Sequence, residues 1–502
     1  MKFLVPAGAS MLLCAGLLSQ STIPQFSELT PIQGSPSAPY GFGMAVADFD
    51  GDGTVDVATG PWGGALRVFR GDGLGGLAEV ANAGPPARVF TQDLVVGDVD
   101  GDGDLDAVVV NFQRPLQLYL NNGDATFSDE SVRVLGTDGY NAAELGDFDS
   151  DGDLDLFIVG DRMEAPFIAL NAGNGRFTGG IGLPPLPANA RRLRSADFDG
   201  DGDLDAIVAT TGTDVLLIND GRGVMMNRSS QLPAGTESTD DVAIGDVDGD
   251  GDLDLVLGQA TGISINRGRV LLNDGQANFT DLGRSAVTPD PMSVMSSALG
   301  DIDEDGDLDL VFGTWNDTPL QIYLNDGTGQ FTLDASRAPP EELDATRNVA
   351  FADIDDDGDL DLVLGNQWTG TTQNRSRVYA NLHRQTHAFA APRIGSPWAV
   401  DLFSQPGYGT ATDLGFTIIG SARGATPLGV LGVLQIDPAG SAAVGPVLLL
   451  PPEGRATLAF DLPTNPGLIG TSLLAQSLVV STTGTARLTN LAATTIGRAQ
   501  DV

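Results

Sequence analysis

The apolar positions of this chain fall in short runs. AVVV at 107–110 and LVL at 255–257 are typical, each preceded by a polar, glycine-rich stretch. Runs this short, rich in β-branched residues and lacking polar alternation, suit strands covered on both faces. A second kind of segment follows them: LYLNNGDATF at 118–127, IALNAGNGRF at 168–177, LLNDGQANF at 271–279 and IYLNDGTGQF at 322–331. It reads as a strand, an Asn/Asp-Gly turn, and a strand opening with Phe.

One nonapeptide precedes these segments seven times, starting at residues 48, 98, 147, 197, 246, 301 and 353. It runs from DFDGDGTVD at 48–56 to DIDDDGDLD at 353–361. A period near 50 residues marks a repeat architecture. Four strands in each of seven units predict an all-β fold, a seven-bladed β-propeller over residues 22–390. The seventh unit stops after VYANL at 378–382 without a strand opening with Phe, whereas FSELT at 26–30 has that form. The N-terminal segment is therefore expected to supply the outer strand of the last blade and close the ring. Residues 391–502 lack acidic loops but keep short apolar runs such as GFTIIG at 415–420. They predict a small, separate all-β domain of sandwich type.

Composition sharpens this. The 502 residues carry a net charge of −41, and more than half of the 67 acidic residues sit in the seven nonapeptides. The acids outside them nearly balance the 26 basic residues, so the acidity belongs to the loops. Such a charge excludes phosphate-backbone binding and docking on an anionic membrane. Cys14 is the only cysteine, so no intrachain disulfide forms. Residues 1–21 read as a signal peptide: Lys2, an apolar stretch from Phe3 to Leu18, then small residues at Ser19 and Ser21. The alternative is a lipoprotein signal anchored at Cys14, which Leu13 fits poorly. No later run is long and apolar enough to span a bilayer. The expected localisation is secreted or cell-surface, as a monomer.

Asp occupies positions 1, 3, 5 and 9 of all seven nonapeptides, and Gly occupies position 6. Hard cations such as Ca²⁺ take six to eight oxygens on a flexible scaffold. Alternate residues of a tight loop can turn their oxygens to one centre, position 7 can add a backbone carbonyl, and Gly permits the sharp turn. The candidate ligands are Asp48, Asp50, Asp52, Thr54 and Asp56 in the first loop. The second offers Asp98, Asp100, Asp102, Asp104 and Asp106; the third Asp147, Asp149, Asp151, Asp153 and Asp155. The fourth offers Asp197, Asp199, Asp201, Asp203 and Asp205; the fifth Asp246, Asp248, Asp250, Asp252 and Asp254. The last two offer Asp301, Asp303, Asp305, Asp307 and Asp309, then Asp353, Asp355, Asp357, Asp359 and Asp361. Up to seven Ca²⁺ ions are expected. An EF-hand is excluded because position 12 is never Glu. Position 8 is Val55 or Leu in every copy and is expected to anchor the loop.

These features resemble the FG-GAP/VCBS repeat family, whose best-known members are the integrin α-chain propellers. The first repeat has Phe42-Gly43 before its loop and Gly60-Pro61 after it. The resemblance covers about residues 22–390. It implies a seven-bladed propeller, calcium in the loop joining the first two strands of each blade, and ligand binding on the opposite face. Later repeats carry Gly-Gln or Gly-Asn in place of Gly-Pro, which leaves the shape of that opposite face open.

Trp62, Trp315 and Trp368 lie six or seven residues after a last loop Asp, and Phe112 takes the matching place in the second unit. They are expected in the connection between second and third strands, opposite the acidic loops. Beside Arg114, Asn316, Asp317 and Gln367, such rings suit sugars or protein loops; alternatively, they pack between blades. Arg191, Arg192, Arg194 and Arg347 precede acidic loops and either offset nearby carboxylates or meet an acidic polysaccharide. No G-x-S-x-G or H-E-x-x-H occurs, and His383 and His387 sit in a linker. The reading is a secreted, calcium-binding propeller acting as a non-catalytic binding or adhesion module for a glycan or extracellular protein. A propeller-based polysaccharide-degrading enzyme and a structural part of a surface assembly are the alternatives.

Overall fold

The computed structural model describes residues 26–28 and 41–381, except 74, 87–88, 135–138, 161–164, 236–237, 260–266, 284, 290–293, 304, 316–317, 336, 340–344, 356–358 and 368–375, and beyond 381 the backbones of the strands alone. In Phe26–Asn381 the sheets repeat with four or five strands each, except for one of eight strands shared by the first two repeats, and pair antiparallel apart from Val287–Thr288 with Phe331–Leu333, consistent with a β-propeller. Phe26–Asn381 makes one compact body. Leu382–Val502 belongs to another, in which Asp413–Gly420 lies between Ala442–Leu449 and Ser472–Val480, and Pro397–Phe403 pairs with Arg455–Asp461.

Each repeat of the first body starts with a strand that enters the acidic nonapeptide: Gly41–Ala47, Val89–Gly97, Tyr140–Gly146, Ala190–Ala196, Thr239–Gly245, Val294–Gly300 and Ala345–Ala352. The last Asp of the nonapeptide opens the second strand, as in Asp106–Asn111 and Asp155–Gly160, whose residues are all buried. A third strand ends at the Asn of the hairpin, as in Gln117–Asn121. The outer strand is short. It opens with Phe in Phe127–Asp129, Phe279–Asp281 and Phe331–Leu333. The third and fourth repeats depart from the expected form. Their outer strands are Ile181–Gly182 and Met226–Asn227, while Phe177 and Met225 are buried just before them as core plugs. In the seventh repeat the outer strand is Phe26–Glu28, paired antiparallel with Arg377–Asn381.

The core is divided among the interfaces between consecutive repeats. Phe148 and Phe157 of the third repeat share a cluster with Leu193 and Val208 of the fourth. Val57 and Phe69 of the first repeat meet Ile354, Val363 and Val378 of the seventh, so the last interface joins the end of the body to its beginning. Position 2 of every acidic loop belongs to these clusters. Phe49, Val99, Phe148, Phe198, Val247, Ile302 and Ile354 are at most 2% exposed. Position 8 does not anchor the loop to its own sheet alone. A Cβ on Gly97, Gly146 or Gly245 would lie 2.6–2.8 Å from Leu154, Leu204 or Leu308 of the next repeat. The leucine thus seats on a glycine one repeat back.

Bonds from side chains to backbone carbonyls complete the joints. The Nδ2 atoms of Asn121, Asn171, Asn219, Asn273, Asn325 and Asn381 donate to the position-2 carbonyl of the preceding repeat's loop at 2.7–2.9 Å. The first repeat has Gly71 in this place.

Asp214 makes another joint. It accepts from Thr210 N at 2.9 Å and from Thr239 Oγ1 of the next repeat at 2.7 Å. Burial raises its pKa to about 6. The folded state therefore holds this proton more tightly than the unfolded chain. Stability contributed by the protonated form is complete below about pH 4 and is lost as pH rises through about 6. Asp214→Asn keeps a neutral acceptor there. It is expected to add about 2–3 kcal/mol at pH 7.5, or roughly 4 °C for a body of this size, and almost nothing at pH 4. Thermal melts of both proteins at the two pH values check this; an equal gain at both would refute it.

Candidate metal centres and the opposite face

The first six acidic loops are tight turns on their first Asp. Asp48 Oδ1 accepts from Gly51 N and Oδ2 from Gly53 N, both at 2.8 Å. Asp98 and Asp197 repeat the pattern. Position 6 is glycine because the backbone there turns left-handed, with φ between 89° and 102° from Gly53 to Gly306. Position 9 is fully buried and fastens the loop to the sheet. Asp106 Oδ1 accepts from Asn121 N at 2.8 Å and Oδ2 from Val99 N at 3.0 Å.

The loop brings positions 1, 3 and 9 together. The carboxylate oxygens of Asp48, Asp50 and Asp56 lie within 4.8 Å of one another, as do those of Asp98, Asp100 and Asp106. Asp147, Asp149 and Asp155 form a third such group, and Asp197, Asp199 and Asp205 a fourth. In the fifth loop the group is Asp246, Asp248 and Asp250. These clusters can hold a metal ion: oxygens at 2.3–2.6 Å from one centre lie no more than about 5 Å apart. The Oδ1 atoms of Asp100, Asp149 and Asp199 are buried and meet no hydrogen-bond donor. A buried carboxylate oxygen is costly unless paired, and a cation at the centre would supply the pairing.

Electrostatics agree. Burial raises Asp56, Asp155, Asp205 and Asp254 to about 6, and Asp106 and Asp309 to about 7, with neighbouring loop carboxylates pushing the same way. Position 5 forms a turn of its own, Asp102 Oδ1 accepting from Asp104 N at 3.0 Å. The position-7 side chain faces the hairpin. A Cβ on Gly123 would lie 2.7 Å from Asp104 Oδ2, so the backbone carbonyl is what position 7 has for a central ion. Among the described residues, an arginine pairs with position 3 in the first and sixth loops: Arg70 with Asp50, and Arg337 with Asp303 at 3.1 Å.

The aromatic residues lie at the other end of the sheets. Trp62 is not in a connection. It sits inside Asp56–Gly64, a strand long enough to pair beyond its own repeat, with Trp62 opposite Phe90 of the second. Its ring meets Phe90 edge-on at 5.6 Å and Phe112 at 5.3 Å. Arg114 lies 4.2 Å over the Phe90 ring. Phe112 is 39% exposed, Trp62 and Trp315 are half-buried. Trp368, Asp357, Cys14, His383 and residues 1–21 lie outside the described residues, as does the His387 side chain.

Arg191, Arg192 and Arg194 offset carboxylates, one of the two readings of the sequence, and their partners lie on other first strands. Arg192 Nη1 lies 3.2 Å from Asp93 of the second repeat, and Nε lies 2.9 Å from Asp241 of the fifth. Arg194 meets Glu144 of the third at 3.0 Å. Burial raises the Glu144 pKa against the pull of Arg194. First strands of the first, second, third, fourth and seventh repeats line a cavity of about 260 Å³ beside these groups.

Among the described residues, no helix is long and apolar enough to cross a membrane. Comparison with known proteins finds human cartilage acidic protein 1 33% identical over 97 residues, 19% of this chain. The chain spans 14% of the length of that relative. Among solved structures, an Agrocybe aegerita lectin, described for recognition of non-reducing terminal N-acetylglucosamine, is similar at 19% identity with a TM-score of 0.42. The match covers 60% of this chain and 80% of that one. BBS1N in complex with ARL6DN is similar at 10% identity with a TM-score of 0.46, over 71% and 97%. The FG-GAP-like repeat model matches residues 48–109, 98–158, 147–208, 197–257 and 301–364, more than half of the sequence. With its acidic loops repeated on small antiparallel sheets, the chain belongs to the FG-GAP-like repeat family.

Proposed function

We propose that this is an exported protein whose first body is a closed seven-bladed propeller, stapled by Ca²⁺ in its acidic loops, that binds extracellular glycans on the opposite face. Asp at positions 1, 3, 5 and 9, with the position-7 carbonyl, would hold each ion. Calcium suits them better than magnesium, because the donors are many, all oxygen, and set on a turn that can flex. With no disulfide available, the ions take the role of cross-links.

The observation that carries the binding reading is the division of labour between the two ends of the sheets. One end is given to the repeated loops. The other holds Trp62, Phe90 and Phe112 in contact, with Phe112 open to solvent and Arg114 alongside. Aromatic faces beside hydrogen-bonding groups suit the apolar faces and hydroxyls of sugars. The test is retention of the mature protein on an immobilised glycan panel in ~1 mM calcium, compared with Phe112→Ala. Because Phe112 is exposed, the variant is expected to melt like the parent and lose retention at least fivefold. No retained glycan, or undiminished retention of Phe112→Ala, would refute this reading.

A further inference from the structure

Strand register allows the repeats to be compared position by position. In the first, second and sixth repeats the residue leading into the third strand is Leu66, Leu116 or Leu320, at most 3% exposed and packed in a joint. In the fourth repeat the same place holds Asp214. A carboxyl stands there where those three joints take an aliphatic side chain. Its two oxygens each accept one bond from a neutral donor, Thr210 N and Thr239 Oγ1, and each keeps a lone pair. Among the described residues it has no ion-pair partner. A buried carboxyl without a cation costs stability, which is why Asp214→Asn is expected to gain some. Residues kept at such a cost gather at functional sites.

Asp214 lines a cavity of about 250 Å³ between the fourth and fifth repeats. Ile207, Leu255, Leu257 and Leu271 supply its apolar walls. Arg269 is the other charged group on the wall. Its Nε and Nη2 both donate to Asp281, at 3.0 and 2.8 Å, while Nη1 has no hydrogen-bond partner among the described residues. Asp281 takes up the charge of this arginine. Asp214 is therefore the charged group on the wall that lacks a countercharge. An apolar cavity with a few converging polar groups, one of them a carboxyl whose pKa burial has raised, has the form of a small-ligand site. It is separate from the aromatic cluster, which belongs to the first and second repeats.

We infer that this cavity binds a small aliphatic α-amino acid, with the ammonium on Asp214 and the carboxylate on Nη1 of Arg269. An ammonium brings the missing cation together with N–H donors for both Asp214 oxygens. Nη1 offers a charge-assisted bond to the ligand's carboxylate. Each charge then meets its opposite, so none is buried unpaired. Ile207 and the leucines receive the side chain. The volume is about eight times the ~30 Å³ share of one water, which limits the ligand to the size of valine or leucine.

The test is calorimetric titration of the mature protein at pH 7.5 in ~1 mM calcium. The probes are L-leucine, isocaproate, which lacks the amine, and isoamylamine, which lacks the carboxylate. Leucine is expected to bind at least tenfold tighter than either. Asp214→Asn should lose at least tenfold in leucine affinity and yet melt above the parent, a combination that a damaged fold would not give. Should that variant fold poorly, Ala234→Trp, at an exposed position lining the cavity, is expected to melt like the parent and lose at least fivefold. No leucine binding up to ~10 mM, isocaproate binding as tightly as leucine, or undiminished leucine affinity in Asp214→Asn would overturn the site. Isoamylamine binding as tightly as leucine would overturn the part given to Arg269.

Discussion

Removal of calcium is expected to lower the melting temperature by about 10–15 °C, the largest single effect the structure implies. A dissociation constant of ~0.1 mM is ordinary for an extracellular calcium module. At ~1 mM ion each site then adds about 1.4 kcal/mol, and seven independent sites about 10 kcal/mol, comparable to the stability of a whole domain. Unfolding entropy near 2.1 cal/mol/K per residue, taken over the body Phe26–Asn381, converts this to roughly 13 °C. The route from ion to stability is visible. The loop that gathers Asp98, Asp100 and Asp106 also carries Val99, whose side chain is in the joint with the third repeat and whose carbonyl is held by Asn171. Without an ion, carboxylates repel one another at close range, and relief of that repulsion pulls position 2 out of the joint. Scanning calorimetry in ~1 mM calcium and in excess EDTA measures the effect. A melt that does not move in EDTA would remove calcium from the account. Asp149→Asn takes one charge from the third loop and is a milder version of the same test.

Much of this was legible in the sequence because it is local. The nonapeptide fixes its own turn through bonds spanning two to seven residues, such as Gly53 N to Asp48 and Phe49 N to Asp56. The periodicity of Asp and Gly therefore locates the loops, their convergence on one centre, and the strand that each last Asp opens. What escaped the reading is the relation between repeats. The bond from Asn121 to the Phe49 carbonyl spans 72 residues, and a repeating pattern does not say which copy a side chain will meet. The alternation of Phe, Val and Ile at position 2 was a signal for the joints. For Arg192, pairing with carboxylates was one reading of the sequence, but its partners were not legible, because Asp93 and Asp241 occupy its own place in other copies. Trp62 fell in a strand instead of a connection because Asp56–Gly64 gains pairing from the next repeat, which no window on one repeat contains.

Phe26→Ala is expected to cost about 3–5 kcal/mol, as for a large aromatic core residue, and to open the body at one place first. Phe26 is wholly buried among Ile302, Val311, Leu362 and Tyr379, and its strand forms the outer edge of the seventh repeat. Its side chain packs in the joint between the sixth and seventh repeats, and its strand holds the N-terminal segment to the seventh repeat beside the joint with the first, which has the smallest buried cluster. Among the described residues, five buried side chains form the cluster between the seventh and first repeats, against eight to fourteen at the other joints. Gly71 stands where the other repeats send an Asn to the neighbouring loop, leaving Gly75 N at 3.4 Å from the Ile354 carbonyl. Val55 replaces the Leu that seats on the preceding repeat. In the proposed ring, the chain's own start makes up the deficit: it is hydrogen-bonded into the seventh repeat and then runs on into the first. Phe331→Ala, at the matching place in the sixth repeat, is the control, with a similar loss of stability but no effect on the closing joint. Hydrogen exchange separates the two variants. In Phe26→Ala, amides of Gly41–Ala47 and Asp361–Gln367 should exchange well before those of Asp155–Gly160 and Asp205–Thr210, whereas in Phe331→Ala they should not. Uniform exchange across all the repeats in Phe26→Ala would mean that the body opens as one unit, and the N-terminal strand would then be one core element among many, with no special part in closing the ring.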